Sequence, residues 1–238
     1  MKDTMTAARE SDRALRSAGA LYLLLTVTSI FGFFVPQTLI VPGNATATVA
    51  KIMASESLFR LAVVSSLIAT IAFVFLARAL YRLLSDIDKS QASLMVTLVM
   101  LSIPISFLTA LNEIAALTII RGGAAISGLG TSQVNALAAL FLELSSNVSA
   151  VNAIFFGLWL FPFGLLVIHS GFIPRILGVL LIVAGCSYLV GSLTFLLSPP
   201  YANAISTITT VGYLGELGVV GWLALQAARV QFGVRRSS

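Results

Sequence analysis

ASLMVTLVMLSIPISFLTALNEIAALTII, residues 92–120, carries one charged side chain, Glu113. The run exceeds the roughly 20 residues that an α-helix needs to cross about 30 Å of hydrocarbon. Its apolar residues are continuous rather than alternating, which predicts a helix and not a barrel strand, and a helix satisfies its own backbone polar groups in lipid. Runs of the same character lie at 18–35, 58–80, 148–168, 173–197 and 205–228. Turn chemistry separates them: Pro36 and Val41-Pro42-Gly43, Ser85 to Ser90, Arg121-Gly122-Gly123, Gly171 with Pro174, and Ser198-Pro199-Pro200. The expected fold is all-α, a polytopic integral membrane protein of six transmembrane helices in a single membrane domain over residues 1–238.

Composition points the same way. The chain is 58% hydrophobic and only 10% charged, with a mean hydropathy of +1.01, far from the quarter or so of charged residues in a soluble domain. The net charge of +5 does not mark a nucleic-acid binder, because Lys and Arg stand at the ends of the apolar runs and not together on a soluble face. Their placement instead predicts orientation. With the N-terminus inside, Lys2, Arg9, Arg13, Arg16, Arg78, Arg82, Lys89, Arg175, Arg229, Arg235 and Arg236 are cytoplasmic, leaving Lys51, Arg60 and Arg121 outside, 11 of the 14 against 3. Both termini are therefore expected in the cytoplasm, with the chain multi-pass in the cell (inner or plasma) membrane.

The one cysteine, Cys186, lies in an apolar run, so neither an internal disulfide nor a thiolate cluster is expected. A basic start followed by Ala45-Thr46-Ala47 has some features of a cleaved leader. The triplet lies beyond Pro36 and Pro42, too far from the apolar core for processing, so residues 18–35 are expected to remain as a span. Asn44-Ala45-Thr46 and Asn147-Val148-Ser149 match a glycosylation sequon, a pattern short enough to arise by chance.

Between the third and fourth spans, Val134, Leu137, Phe141 and Leu144 recur at helical spacing, with Gln133, Asn135 and Glu143 elsewhere on the surface. This predicts a short amphipathic outer helix at 131–146, either lying on the membrane or extending the fourth span.

Polar side chains inside the spans are the candidates for function, since an ionisable group at the bilayer centre costs at least ~2.5 kcal/mol. Glu216 lies about 16 Å, and Glu113 about 10 Å, from the outer ends of their helices at 1.5 Å per residue. Ser102, Ser106, Thr109 and Glu113 return to nearly one angular position and form a polar stripe, beside which Pro104 removes a backbone donor. Ser145, Ser149 and Asn152 form a shorter stripe that passes into Phe156, Trp159 and Phe163, while Thr209, Gly212 and Tyr213 share the face of Glu216. Together these predict a polar cavity open to the outside and floored by aromatic residues, with Arg60 as counter-charge for Glu113 or Glu216.

Each feature also has a plainer use. Serine and threonine bond their own helix, an Arg–Glu pair neutralises a packing site, and Glu143 is expected to be solvated. Gly212, Gly215, Gly218 and Gly221 recur every third residue and, with Gly178 and Gly185, predict close helix packing. His169 stands at a helix C-terminus, where capping is the favoured role. Arg175, Arg229, Arg235 and Arg236 are expected to contact lipid phosphates. Arg60 with Glu113 and Arg175 with Glu216 stand at corresponding places in the two halves, but the flanking sequences do not repeat, so an inverted repeat is not expected.

The stretch 152–189, with FFGLWLFPFG at 155–164, HSGFIPRILGVLLIVAG at 169–185 and the following SYLV, resembles the prokaryotic membrane family catalogued as domain of unknown function 4386. LYLLLTVTSIFG at 21–32, ASESLFRLAVV at 54–64 and LGELGVVGWLAL at 214–225 are similar to it in the same order. The resemblance implies a six-helix bacterial or archaeal membrane protein and no biochemical activity; Arg60, Pro174, Arg175 and Glu216 fall in the matching pieces.

The leading functional expectation is a small permease or ligand-binding membrane protein with an outward-facing polar cavity. The alternative is a non-catalytic membrane subunit or scaffold. An intramembrane enzyme acting on lipid ranks third, because no nucleophile, base and orienting group stand together. No cofactor or metal is expected; the expected partners are the bilayer, including anionic lipids, and a small solute or ion.

Overall fold

The computed structural model describes the backbone of residues 2–122, 127–198, 200 and 202–231, and the side chains of 13–122, 127–198, 200 and 215–230. Among them the chain is all-helical: α1 (Lys2–Leu39), α2 (Ala45–Ala54), α3 (Glu56–Leu84), α4 (Lys89–Arg121), α5 (Thr131–Leu158), α6 (Leu160–His169), α7 (Arg175–Leu197) and α8 (Ala202–Gln231). Five helical segments are long and apolar enough to cross a membrane: Arg13–Leu39, Glu56–Leu84, Lys89–Arg121, Thr131–His169 and Arg175–Leu197. The sixth expected span, 205–228, falls on α8, whose side chains up to residue 214 lie outside the described residues. Large apolar side chains stand exposed along these helices, Val27 at 66%, Leu111 at 59% and Ile176 at 62% among them. In water that surface would be an aggregation liability.

The helix ends follow local chemistry. Asp88 Oδ1 accepts from the Gln91 N–H at 3.0 Å and caps α4, while Asn44 of the first sequon caps α2 through the Ala47 N–H at 2.9 Å. Gly122 at φ +77° follows α4, and Gly171 at φ +71° makes the turn before Pro174 opens α7.

Pro36 departs from expectation. It does not end α1, which runs on to Leu39 with Ile40 N–H bonded to Pro36 O at 3.2 Å. A proline costs the helix one hydrogen bond, and the residues after it can resume the ladder. Pro162 accounts for the division between α5 and α6: it has no N–H for the Leu158 carbonyl, yet Trp159 keeps a helical backbone and the ladder continues through it, Trp159 N–H bonding Phe155 O at 3.1 Å and Phe163 N–H bonding Trp159 O at 3.3 Å.

Of the two arrangements expected for 131–146, the extension of the fourth span is found: these residues are the first half of α5, which is continuous to Leu158. No Gly or Pro interrupts residues 131–156, so nothing stops propagation. Its buried face differs. Asn135, Ala138, Leu142 and Ser145 are buried and Leu144 is exposed, so Asn135, expected on the surface, lies inside and donates from Nδ2 to Thr46 Oγ1 at 3.3 Å. The helical period is as read; the helix turns its polar groups toward protein partners.

The chain forms two compact units. The first comprises Met1–Leu25, Ala72–Ile103 and Ala150–Ser238, and its core includes Tyr22, Leu76, Leu80, Met95, Trp159, Phe163, Leu181 and Leu223. Two glycine pairs bring α7 against α5 and α6: a Cβ on Gly157 would lie 2.8 Å from Gly185 O, and one on Gly164 2.8 Å from Gly178 O, with the reciprocal distances 2.8 and 2.6 Å. The expected packing role of Gly178 and Gly185 is thus found. On α8, Gly215 and Gly218 meet Leu180 O and Leu177, whereas Gly221 faces open space and so makes no close packing contact.

The second unit, Thr26–Ile71 and Pro104–Ser149, is built on Leu39, Ile52, Phe59, Val63, Ala110, Leu117 and Leu142. Thr48 ties its loop together, accepting from the Val41 N–H at 2.9 Å and donating to Asn44 O at 3.0 Å.

Candidate functional site

In the second unit Glu113 is 8% exposed on α4. Ser145 Oγ, on α5, donates to the Glu113 carboxylate Oε1 at 3.5 Å and to Thr109 O at 3.3 Å. This contact joins the two stripes expected from sequence. Two other stripe hydroxyls donate to their own helix: Thr109 Oγ1 to Ile105 O at 3.3 Å and, in the first unit, Ser102, fully buried, to Val99 O at 2.7 Å. Ser106 and Ser149 are half-buried in the second unit, and Glu143 is exposed, as expected.

The second candidate carboxylate belongs to the first unit. Glu216, half-buried on α8, accepts a hydrogen bond from the Tyr188 hydroxyl of α7, and the phenol of Tyr22, 2% exposed on α1, lies within electrostatic range. Gly215 permits this approach, since a Cβ there would lie 2.6 Å from Leu180 O. Neither tyrosine stands out as a site residue in the sequence, although Tyr22 shares a helical period with Thr26 and Ser29 and Tyr188 with Ser192. Thr209, Gly212 and Tyr213, expected on the face of Glu216, have side chains outside the described residues.

Asn152 is 3% exposed in the same unit. The aromatic residues below it are core side chains: Trp159 stacks on Phe163 with centroids 5.2 Å apart and meets Phe73 edge-on at 5.0 Å.

Arg60 has a different partner from either expected. Its Nε donates to Glu56 Oε1 at 2.7 Å, and Arg121 Nε lies 2.9 Å from the same oxygen. Glu56 is one turn before Arg60 on the same helix face, reachable without burying either charge, whereas Glu113 or Glu216 would demand desolvation of the guanidinium. The i,i+4 spacing of Glu56 and Arg60 was visible in ASESLFRLAVV; the third member, Arg121, was not. A cavity of about 830 Å³ adjoins this cluster, and Arg60 is the one sequence candidate among its lining residues.

The family model described as domain of unknown function (DUF4386) matches residues 17–226. This chain belongs to the DUF4386 family. No curated protein and no solved structure matches it. The DUF4386 match contains every polar-cavity candidate and Arg175, and ends before Arg229, Arg235 and Arg236. Arg175 and Arg229 are exposed, and Arg235 and Arg236 lie outside the described residues. His169 is also exposed in this DUF4386 chain, with Nδ1 2.8 Å from Leu165 O in the last turn of α6, a capping geometry.

Proposed function

We propose that this DUF4386 protein is a small permease of the cell membrane, with six spans and both termini cytoplasmic, and that Glu113 and Glu216 are its proton- or cation-responsive groups. The supporting observation is the partners of these carboxylates. Among the described residues neither has a cation; each has a hydroxyl, from Ser145 or Tyr188. A carboxylate kept for packing alone would be expected to carry a neutralising arginine, as Glu56 does. A hydroxyl both donates and accepts, so it can serve the carboxyl group in either protonation state and leave it able to exchange a proton or hold a cation. In this reading Ser106, Thr109 and Ser149 supply polar lining within the second unit and Ser102 and Asn152 within the first, and the Lys/Arg asymmetry supports the orientation.

The experiment is flux through purified protein in vesicles. Proton or cation flux is expected to fall about tenfold or more in Glu216→Gln and in Glu113→Gln, the scale of losing one positioned charged contact. Unchanged flux in either variant removes that residue from the mechanism. Loss of stability with flux per folded molecule unchanged would instead favour a non-catalytic membrane subunit.

A further inference from the structure

Charge and apolar surface are arranged along one groove of the second unit. Glu56 and Arg60 lie in the first turns of α3, and Arg121 is the last residue of α4, so both guanidiniums meet one carboxylate at one end of the groove. From there α3 presents Val64 and Leu67 and α4 presents Ile114, each wall running seven residues, or about 10 Å, away from the charges. Val64 and Ile114 are 49% and 42% exposed, so these walls are open to the surroundings and not sealed inside the protein. The volume of about 830 Å³ is within the range of small-molecule sites, roughly 300–1,000 Å³.

The charges do not balance. Two cations share one anion, and both approach the same oxygen through Nε, with side chains 48% and 57% exposed. An exposed Arg–Glu pair adds little stability, and a second guanidinium brought beside the first adds repulsion. A further anion on the Nη donors would relieve that repulsion, and a phosphate matches the guanidinium fork. Cations at one end and an open apolar channel behind them fit a molecule with an anionic head and a hydrocarbon tail.

We propose that the groove between α3 and α4 binds one anionic phospholipid of the bilayer, its phosphate on Arg60 and Arg121 and an acyl chain along Val64, Leu67 and Ile114. The assignment rests on these helices crossing a bilayer and is independent of the roles of Glu113 and Glu216.

The test is native mass spectrometry of the full chain in uncharged detergent, titrated with phosphatidylglycerol or phosphatidylcholine of the same acyl composition. Wild type is expected to retain phosphatidylglycerol preferentially. Arg60→Gln with Arg121→Gln should lower that preference about tenfold, as expected for lost charge-assisted contacts, with phosphatidylcholine retention falling less than that of phosphatidylglycerol. Glu56→Gln, which removes the competing anion and keeps both guanidiniums, should retain phosphatidylglycerol at least as well as wild type. Ile114→Trp, which fills the groove and leaves the charges in place, should lower retention and serves if the arginine variant does not fold. Glu216→Gln should behave as wild type, which separates this site from the flux mechanism. An unchanged preference in the arginine or Ile114 variants overturns the proposal. Displacement of the lipid by glycerol phosphate at equal concentration would assign the site to a free anion and overturn it too.

Discussion

At the scale of single residues, three glutamates of one chain have different surroundings. Glu56 is at a helix start with two guanidiniums, Glu113 is buried beside Ser145, and Glu216 is beside Tyr188. Ser145 links α5 to α4 through both Glu113 and the Thr109 carbonyl. Ser145→Ala is therefore expected to cost about 1 kcal/mol, read as a lowered midpoint of thermal unfolding in detergent. An unchanged midpoint would mean that these contacts contribute nothing to stability. Glu113 and Glu216 were legible as candidates because a charge in an apolar run is conspicuous. Their hydroxyl partners were only half legible. Ser145 lay in a polar stripe, while Tyr22 and Tyr188 are aromatic residues among aliphatic ones, and side-chain period says nothing about which helix lies opposite. Arg121 shows the same limit, since its meeting with Glu56 joins residues far apart in sequence.

At the scale of elements, the apolar runs placed the long helices because a continuous apolar stretch of that length has few other stable uses. Punctuation was less reliable. Pro36 was expected to stop a helix and did not, Pro162 costs one hydrogen bond in a segment that stays helical from Thr131 to His169, and α2 occupies 45–54, where only a connection was expected. A proline removes one donor wherever it falls, and its neighbours decide whether the ladder resumes. The glycines divide by what they face. Gly164→Ala would drive a methyl group against the Gly178 carbonyl and is expected to cost about 1–3 kcal/mol. Gly221→Ala meets nothing within 4 Å and should leave stability unchanged or raise it by up to ~1 kcal/mol through helix propensity. Thermal unfolding of the two variants side by side is the check; equal losses would contradict the packing read from the helix contacts.

At the scale of the whole molecule, this DUF4386 protein buries polar side chains beside apolar ones in its cores and leaves other large apolar side chains exposed along its helices. Val27 and Ile176 are exposed, while Asn135, Ser145 and Asn152 are buried. The buried face of α5 mixes Ala138 and Leu142 with Asn135 and Ser145, which displaces the wholly apolar face expected: in a helix bound for hydrocarbon, polar side chains gain most from protein partners. The proposed permease requires more, namely that water reach the polar stripe from outside. Single cysteines at Ser106, Thr109 and Gly212, introduced in a Cys186→Ser background, test this with a membrane-impermeant thiol reagent applied to the outer face of intact cells. The account predicts labelling at these positions; protection of all three from the outside would contradict it.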